Sequence, residues 1–169
     1  TKNTETRGKA MIKLAFYKAK PGDIWANVIA KWGQLWNWGA PPYCHCEIGF
    51  SYPDGWHWYS SASRNIDGTT GARWITEAQL FKHPERWDIY QVRESRPVAD
   101  MIKTCESEAG KKYDWLGIAG FATVSGLLNI KNAWYCSEIC YYVFFGKWMR
   151  RVSPIAFYTK LKKEKYVAV

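Results

Sequence analysis

The spacing of apolar residues changes along the chain from mostly strand-like to mostly helical. Residues 12–19 alternate between apolar and polar, which predicts a strand. Residues 43–50 and 56–62 flank the turn sequence YPDG and predict a β-hairpin, and 87–93 predict another strand. A Gly-, Thr- and Ser-rich stretch at 63–72 is typical of a loop. Strands therefore dominate the first half.

Helical spacing predicts most of the remaining elements. A first helix follows Asp23, a plausible N-cap, and another runs from Pro97 to about Lys111 with Cys105 on its apolar stripe. A third is predicted from Asn132 to about Phe145, and Ser153-Pro154 marks a last helix start. Strands first and helices mostly later indicate an α+β fold.

Length and composition indicate one compact domain. The chain has 169 residues, of which 47% are hydrophobic and 23% charged, so it can bury a substantial core. We expect a single domain at 11–169. The polar residues 1–10 are expected to be a flexible leader or tag. No pattern of a secretory signal is visible, which leaves the localisation open.

Residues 115–130 form the most apolar stretch of the chain. They number sixteen and include three glycines, fewer than the roughly twenty apolar residues that a membrane-spanning helix needs. A buried helix and loop is the favoured interpretation. Because Lys111, Lys112 and Lys131 flank the stretch, contact with a membrane surface is the alternative.

The net charge of +9 predicts attraction to polyanions. These include nucleic acid, anionic lipid headgroups and an acidic cell-wall polymer, and charge alone does not choose among them. A basic surface that is merely hydrated is the ordinary interpretation. The 11 tryptophans are expected mainly in the core and in cleft walls.

Cys136 is the candidate nucleophile. Five cysteines, an odd number without paired CxxC spacing, are expected to be reduced thiols. In the first turn of a helix, Cys136 would feel the positive end of the helix dipole, which lowers a thiol pKa. Free N–H groups there can also stabilise an oxyanion. Cys140, one turn later, is interpreted as a packing residue.

His45 is the candidate proton acceptor among three histidines. The period of two places His45 and Glu47 on one face of their strand and the neighbouring cysteines on the other. His83 lies in a polar loop and is interpreted as a surface residue. A zinc site made of His45, His57, Cys136 and Cys140 is a minority alternative, and we expect no metal and no cofactor.

Three segments together resemble a known family. HCEIGFSYPDGWHWYSS, then KYDWLGIAGF and WYCSEICYYV, are similar to the circularly permuted papain-like cysteine hydrolases of the NlpC superfamily, which include permuted amidases and lecithin retinol acyltransferase relatives. The histidine strand precedes the cysteine helix here, as in that group. The resemblance covers most of residues 11–158. It implies an antiparallel sheet or small barrel packed against helices.

The resemblance also implies a catalytic triad. Cys136 would be the nucleophile and His45 the general base, with a third polar residue orienting the imidazole. His57 is the first choice for that residue, followed by Glu47 and then Ser61, which the hairpin register places near His45. Tyr113 resembles a cleft tyrosine that can donate to the oxyanion, and packing is the alternative.

From this family we expect cleavage of an amide bond in peptidoglycan peptides, by a bacterial or phage enzyme acting at the envelope. Hydrolysis or transfer of a lipid ester is the second hypothesis. A basic, Trp-rich binding module without catalysis is the third. Nucleic acid is the less favoured partner, and the sequence does not predict an oligomeric state.

Overall fold

The structure, a computed structural model, describes residues 11–66, 69–114, 133–150 and 152–167. In chain order its elements are β1 (Ile12–Lys18), α1 (Ile24–Trp36), β2 (Tyr43–Tyr52), β3 (Gly55–Ile66), β4 (Thr69–Thr76), α2 (Glu77–Leu80), a 3-10 turn (Pro84–Arg86), β5 (Trp87–Val92), α3 (Val98–Glu108), β6 (Lys112–Tyr113), β7 (Ala133–Trp134), α4 (Cys136–Phe145) and α5 (Pro154–Lys163).

A five-stranded sheet in the order β4-β3-β2-β1-β5 forms the centre of the fold, and each neighbouring pair is antiparallel. β2 and β3 form the predicted hairpin, with Tyr52 opposite Gly55 and the turn at residues 53–54. The short strands β6 and β7 pair in parallel. The predicted α+β class with an antiparallel sheet is confirmed at this level.

One face of the sheet packs against the helices. Phe16 from β1 and Ile48 from β2 are fully buried there with Ile139 of α4 and Ile155 of α5. On the other face, Ala15 and Trp58 form a smaller cluster with Ile75 and Leu80. β2 therefore has a packed layer on each side, which fixes the direction of every side chain along it.

Local capping signals place two helices as predicted. The Asp23 side chain accepts a hydrogen bond from the N–H of Ala26 at 3.1 Å and begins α1. The Ser153 side chain likewise accepts a hydrogen bond from the N–H of Ala156 at 3.1 Å and begins α5. Cys105 is fully buried in α3, as predicted.

Two predicted boundaries are wrong because strand pairing overrides them. The helix predicted from residue 132 begins only at Cys136, since Ala133 and Trp134 pair with β6. The loop predicted at 63–72 is largely strand: β3 continues to Ile66 and β4 begins at Thr69. A third boundary shifts as well, because α3 ends at Glu108 instead of near Lys111.

The predictions for residues 1–10 and 115–130 lie outside the described residues. In the part of the chain that is described, no helix has both the length and the apolar character needed to cross a bilayer.

Candidate active site

Cys136 is the first residue of α4 and is fully buried. It packs in a cluster with Ala26 and Ile29 of α1, Cys44 of β2 and Tyr135. The first-turn position predicted from sequence is thus present. The thiol lies where the N–H groups of the helix start are free of intrahelical partners.

Cys136 lies near β2 beyond the paired part of the β2–β3 hairpin, whose last pair is Ile48 opposite Tyr59. Further along β2, Cys136 lies close enough to His45 and to the backbone and side chain of Cys46 for all of these groups to shift its pKa. Residues 45 and 46 project to opposite faces of β2, and Cys136 is near both.

The imidazole of His45 is held on its other side by Glu47. Its Nε2 lies 2.9 Å from Oε1 of Glu47, and the His45 side chain is 22% exposed. Because the carboxylate accepts the Nε2–H, Nδ1 is the ring nitrogen left to exchange a proton with Cys136.

Arg73 of β4 keeps Glu47 ionised. One guanidinium nitrogen of Arg73 donates to Oε1 of Glu47 at 3.0 Å and another donates to the carbonyl of Ser60 at 3.1 Å. Glu47 is fully buried and Arg73 is 6% exposed. Burial alone would raise the pKa of Glu47, but the charge of Arg73 and the hydrogen bond from His45 lower it below its usual range. Sequence reasoning did not single out Arg73.

Cys136 and His45 shift each other's pKa in the directions that an ion pair requires. Burial opposes both charged forms. The pKa of Cys136 nevertheless lies well below that of a free thiol. Hydrogen bonding from Cys46 lowers it, and so do the charge and the hydrogen bond of His45. The Cys136 thiolate, followed by Glu47, raises the pKa of His45 to about 10. Both shifts favour the thiolate–imidazolium form of the pair over its neutral form.

Of the three candidates for the third member, the structure brings Glu47 to His45. His57 is opposite Phe50, and its Nε2 lies 3.0 Å from Asp54 with its ring against Tyr52. Ser61 is buried, and its hydroxyl has no hydrogen-bond partner among the described residues. His57, the first choice from sequence, and Ser61 thus do not occupy the orienting position.

Tyr113 lies in the same cluster as Cys136. Its ring centroid is 6.1 Å from that of Tyr135. Burial and the Cys136 charge raise the pKa of its phenol, which is therefore a neutral hydrogen-bond donor at neutral pH. The phenol also hydrogen-bonds Ser63.

The residues of the zinc alternative are not gathered. His57 lies in the hairpin near Asp54, while Cys140 packs with its thiol toward the carbonyls of Cys46 and Tyr59, at 3.6 and 3.8 Å. In the described ranges, no three or more His, Cys, Asp or Glu residues are placed to hold a metal ion.

Comparison of the chain with protein-family models, with curated proteins and with solved structures gives no match.

Proposed function

We propose that the protein is a cysteine hydrolase of the permuted papain-like type that cleaves a carbonyl substrate through a thioester. The observation that carries this proposal is the connected series of side chains from Cys136 through His45 and Glu47 to Arg73, of which only His45 is partly exposed. A thiol that merely fills the core has no need of an imidazole that is itself oriented by a buried carboxylate.

In the proposed mechanism, the Cys136 thiolate attacks the substrate carbonyl carbon and a tetrahedral oxyanion forms. As the bond to the leaving group breaks, the His45 imidazolium donates its proton to the leaving amine, and a thioester remains on Cys136. Neutral His45 then removes a proton from water, which attacks the thioester. Collapse of the second intermediate releases the acid and restores the thiolate and imidazolium.

Two groups are available for the developing oxyanion. The N–H of Cys136 lies at the start of α4, where the helix dipole also favours negative charge. The neutral phenol of Tyr113 lies in the same cluster and is the second proposed donor. We propose no metal and no cofactor for this reaction.

The proposed substrate is an amide bond in the short peptides of peptidoglycan. The family resemblance supports this choice, and the net charge of +9 suits an anionic wall polymer at the bacterial envelope. The chemistry by itself fits any amide or activated ester that can reach the thiolate.

Hydrolysis or transfer of a lipid ester is the second candidate, and the walls around Cys136 favour it. Four hydrophobic residues are partly buried against the Cys136 cluster: Tyr17, Ala19, Trp32 and Tyr113. They supply apolar surface against which an acyl chain can pack. Incubation with peptidoglycan fragments and with short-chain lipid esters, followed by detection of the released product, separates the two candidates.

The decisive experiment measures thiol reactivity residue by residue. We expect iodoacetamide to alkylate Cys136 rapidly well below the free-thiol pKa of about 8.5, because the rate follows the thiolate fraction. Cys105, also buried and with a pKa raised by burial, is the internal reference. His45→Ala should slow the labelling of Cys136, whereas His57→Ala, the matched control, should not.

Because burial slows labelling at every pH, the pH profile is decisive. A Cys136 profile that rises only near the free-thiol pKa, or that is the same with and without His45, would refute the nucleophile. A non-catalytic binding module would then be the better description. Salt-sensitive retention on DNA or glycan that is unchanged in Cys136→Ala would support that description.

A further inference from the structure

Helix α1 has apolar side chains on its outer surface as well as on its inner one. Inward, Ala26 and Ile29 pack in the cluster that buries Cys136. Outward, we define the α1 apolar face by five exposed residues: Ile24, Val28, Leu35, Trp36 and Trp38, of which Trp38 is 94% exposed. Exposed apolar residues are ordinary when scattered, but a contiguous set on one element marks an interaction surface.

The spacing along α1 makes this a continuous surface. Ile24, Val28, Lys31 and Leu35 are separated by four, three and four residues, so they form one stripe along the helix. Trp36 and Trp38, at the end of the helix and just beyond it, extend the surface. Tryptophan is the residue most typical of the boundary between water and the lipid headgroups.

Charge at this surface is positive. Lys31 is exposed within the stripe, and Lys20 is exposed just before α1, where its carbonyl accepts a hydrogen bond from the Asn27 side chain. From residue 19 to residue 46 the sequence contains one acidic residue, Asp23, and its side chain caps α1. An apolar surface that includes one lysine and has a second just before the helix, on a protein of net charge +9, is the pattern of a helix that lies in the plane of an anionic membrane.

We propose that the α1 apolar face docks the protein on the surface of an anionic lipid bilayer. The apolar side chains enter the headgroup region, and Lys20 and Lys31 contact lipid phosphates. Because α1 is about 10 Å thick and its inner side packs against Cys136, docking brings the candidate nucleophile next to the membrane. This inference goes beyond the proposed function, and membrane binding can be measured whether or not Cys136 is reactive.

The experiment is cosedimentation of the full chain with vesicles. We expect binding to vesicles of equal parts phosphatidylcholine and phosphatidylglycerol, weaker binding to phosphatidylcholine alone, and a blue shift of tryptophan fluorescence on binding. The double variant Leu35→Ser/Trp36→Ser should lower the affinity by about tenfold or more. Ile89→Ser removes a similarly apolar residue, 45% exposed, from edge strand β5 and should leave binding unchanged.

The lysines give an independent test of the same surface. Lys20→Gln and Lys31→Gln should each weaken binding to the anionic vesicles by about fivefold at low salt and have little effect on phosphatidylcholine vesicles. Circular dichroism would show that the variants remain folded, as expected for exposed positions.

Three results would overturn the proposal. The first is no binding of the native protein to anionic vesicles. The second is binding that the Leu35→Ser/Trp36→Ser variant retains in full. The third is a dimer, seen by analytical ultracentrifugation without lipid, that the same variant abolishes, since the α1 apolar face would then join two copies of the chain.

Discussion

The Glu47 carboxylate controls the charge of the candidate site. It is fully buried and accepts hydrogen bonds from both His45 and Arg73 at Oε1. A carboxylate in this position favours the imidazolium, and the imidazolium in turn favours the Cys136 thiolate. Reactivity at Cys136 therefore depends on a residue that is two side chains away.

Glu47→Gln should shift the alkylation profile of Cys136 toward higher pH. The substitution removes a charge and a hydrogen bond that raise the pKa of His45, so that pKa falls from about 10 and the thiolate loses part of its stabilisation. At pH values below the pKa of Cys136 we expect labelling to slow by about tenfold for each unit that this pKa rises, since the thiolate fraction there changes tenfold per unit. Mass spectrometry of alkylated peptides gives the rate.

The exposed residue Glu85 supplies the matched control. Glu85→Gln removes a carboxylate near His83 at the surface and should leave the Cys136 profile unchanged. An unchanged profile in Glu47→Gln would show that Glu47 does not act on Cys136 through His45.

Glu47 and Arg73 should also be energetically coupled. Loss of one partner leaves the other charge buried and uncompensated, which costs about 3–5 kcal/mol. We therefore expect Glu47→Gln and Arg73→Met each to lower the free energy of unfolding strongly, and the double variant to lose about 1–3 kcal/mol less than the sum. Urea denaturation measures all three. Additive losses within about 0.5 kcal/mol would contradict the coupling.

Local sequence patterns predict two residues of this site, Cys136 and His45. A cysteine at a helix start and a histidine on an alternating strand can be recognised from local pattern. The residue that orients the imidazole cannot be recognised in this way, because Glu47 and His57 are both polar and near His45 in sequence. Only the register of β2 against β3 directs His57 toward Asp54 instead, and only the pairing of β3 with β4 brings Arg73 to Glu47.

At the scale of elements, the helix starts that depend on local capping can be predicted from the sequence. The strand positions that depend on contacts with another segment cannot. Asp23 and Ser153 cap their helices within three residues, so their starts are readable from sequence. Within β4, by contrast, Ala72 is held by segment 110–111, which is distant in sequence. The N–H of Ala72 donates to the carbonyl of Lys111 at 2.9 Å, and that of Gly110 donates to the carbonyl of Ala72 at 2.8 Å.

Gly71→Ala should destabilise the fold more than Gly110→Ala. Both glycines have left-handed φ, 82° and 81°, so alanine costs about 1–2 kcal/mol at either position. A Cβ on Gly71 would also overlap the carbonyl oxygen of Lys111, whereas one on Gly110 meets nothing within 4 Å. The overlap should add about 1–3 kcal/mol. Equal losses in urea denaturation would contradict this packing.

For the whole molecule, composition and periodicity predict the class of fold and the sign of its electrostatic field. They do not predict which apolar residues stay exposed. Ile24 and Ile29 lie on the same helix and are equally apolar, yet one is 75% exposed and the other 8%. The difference arises from β2, the start of α4 and α5, which cover one side of α1 and leave the other open.

The net charge of +9 leads to a prediction about salt. If the protein hydrolyses an anionic polymer, its field concentrates that substrate at the surface, and added salt screens the attraction. The screening length falls from about 10 Å at 0.1 M to about 3 Å at 1 M salt. We therefore expect kcat/KM on peptidoglycan fragments to fall steeply over this range, while kcat/KM on a small neutral ester of similar reactivity stays nearly constant. A parallel fall for both substrates would place the salt effect on the buried ion pair instead of the field, and the labelling rate of Cys136 at each salt concentration distinguishes the two causes.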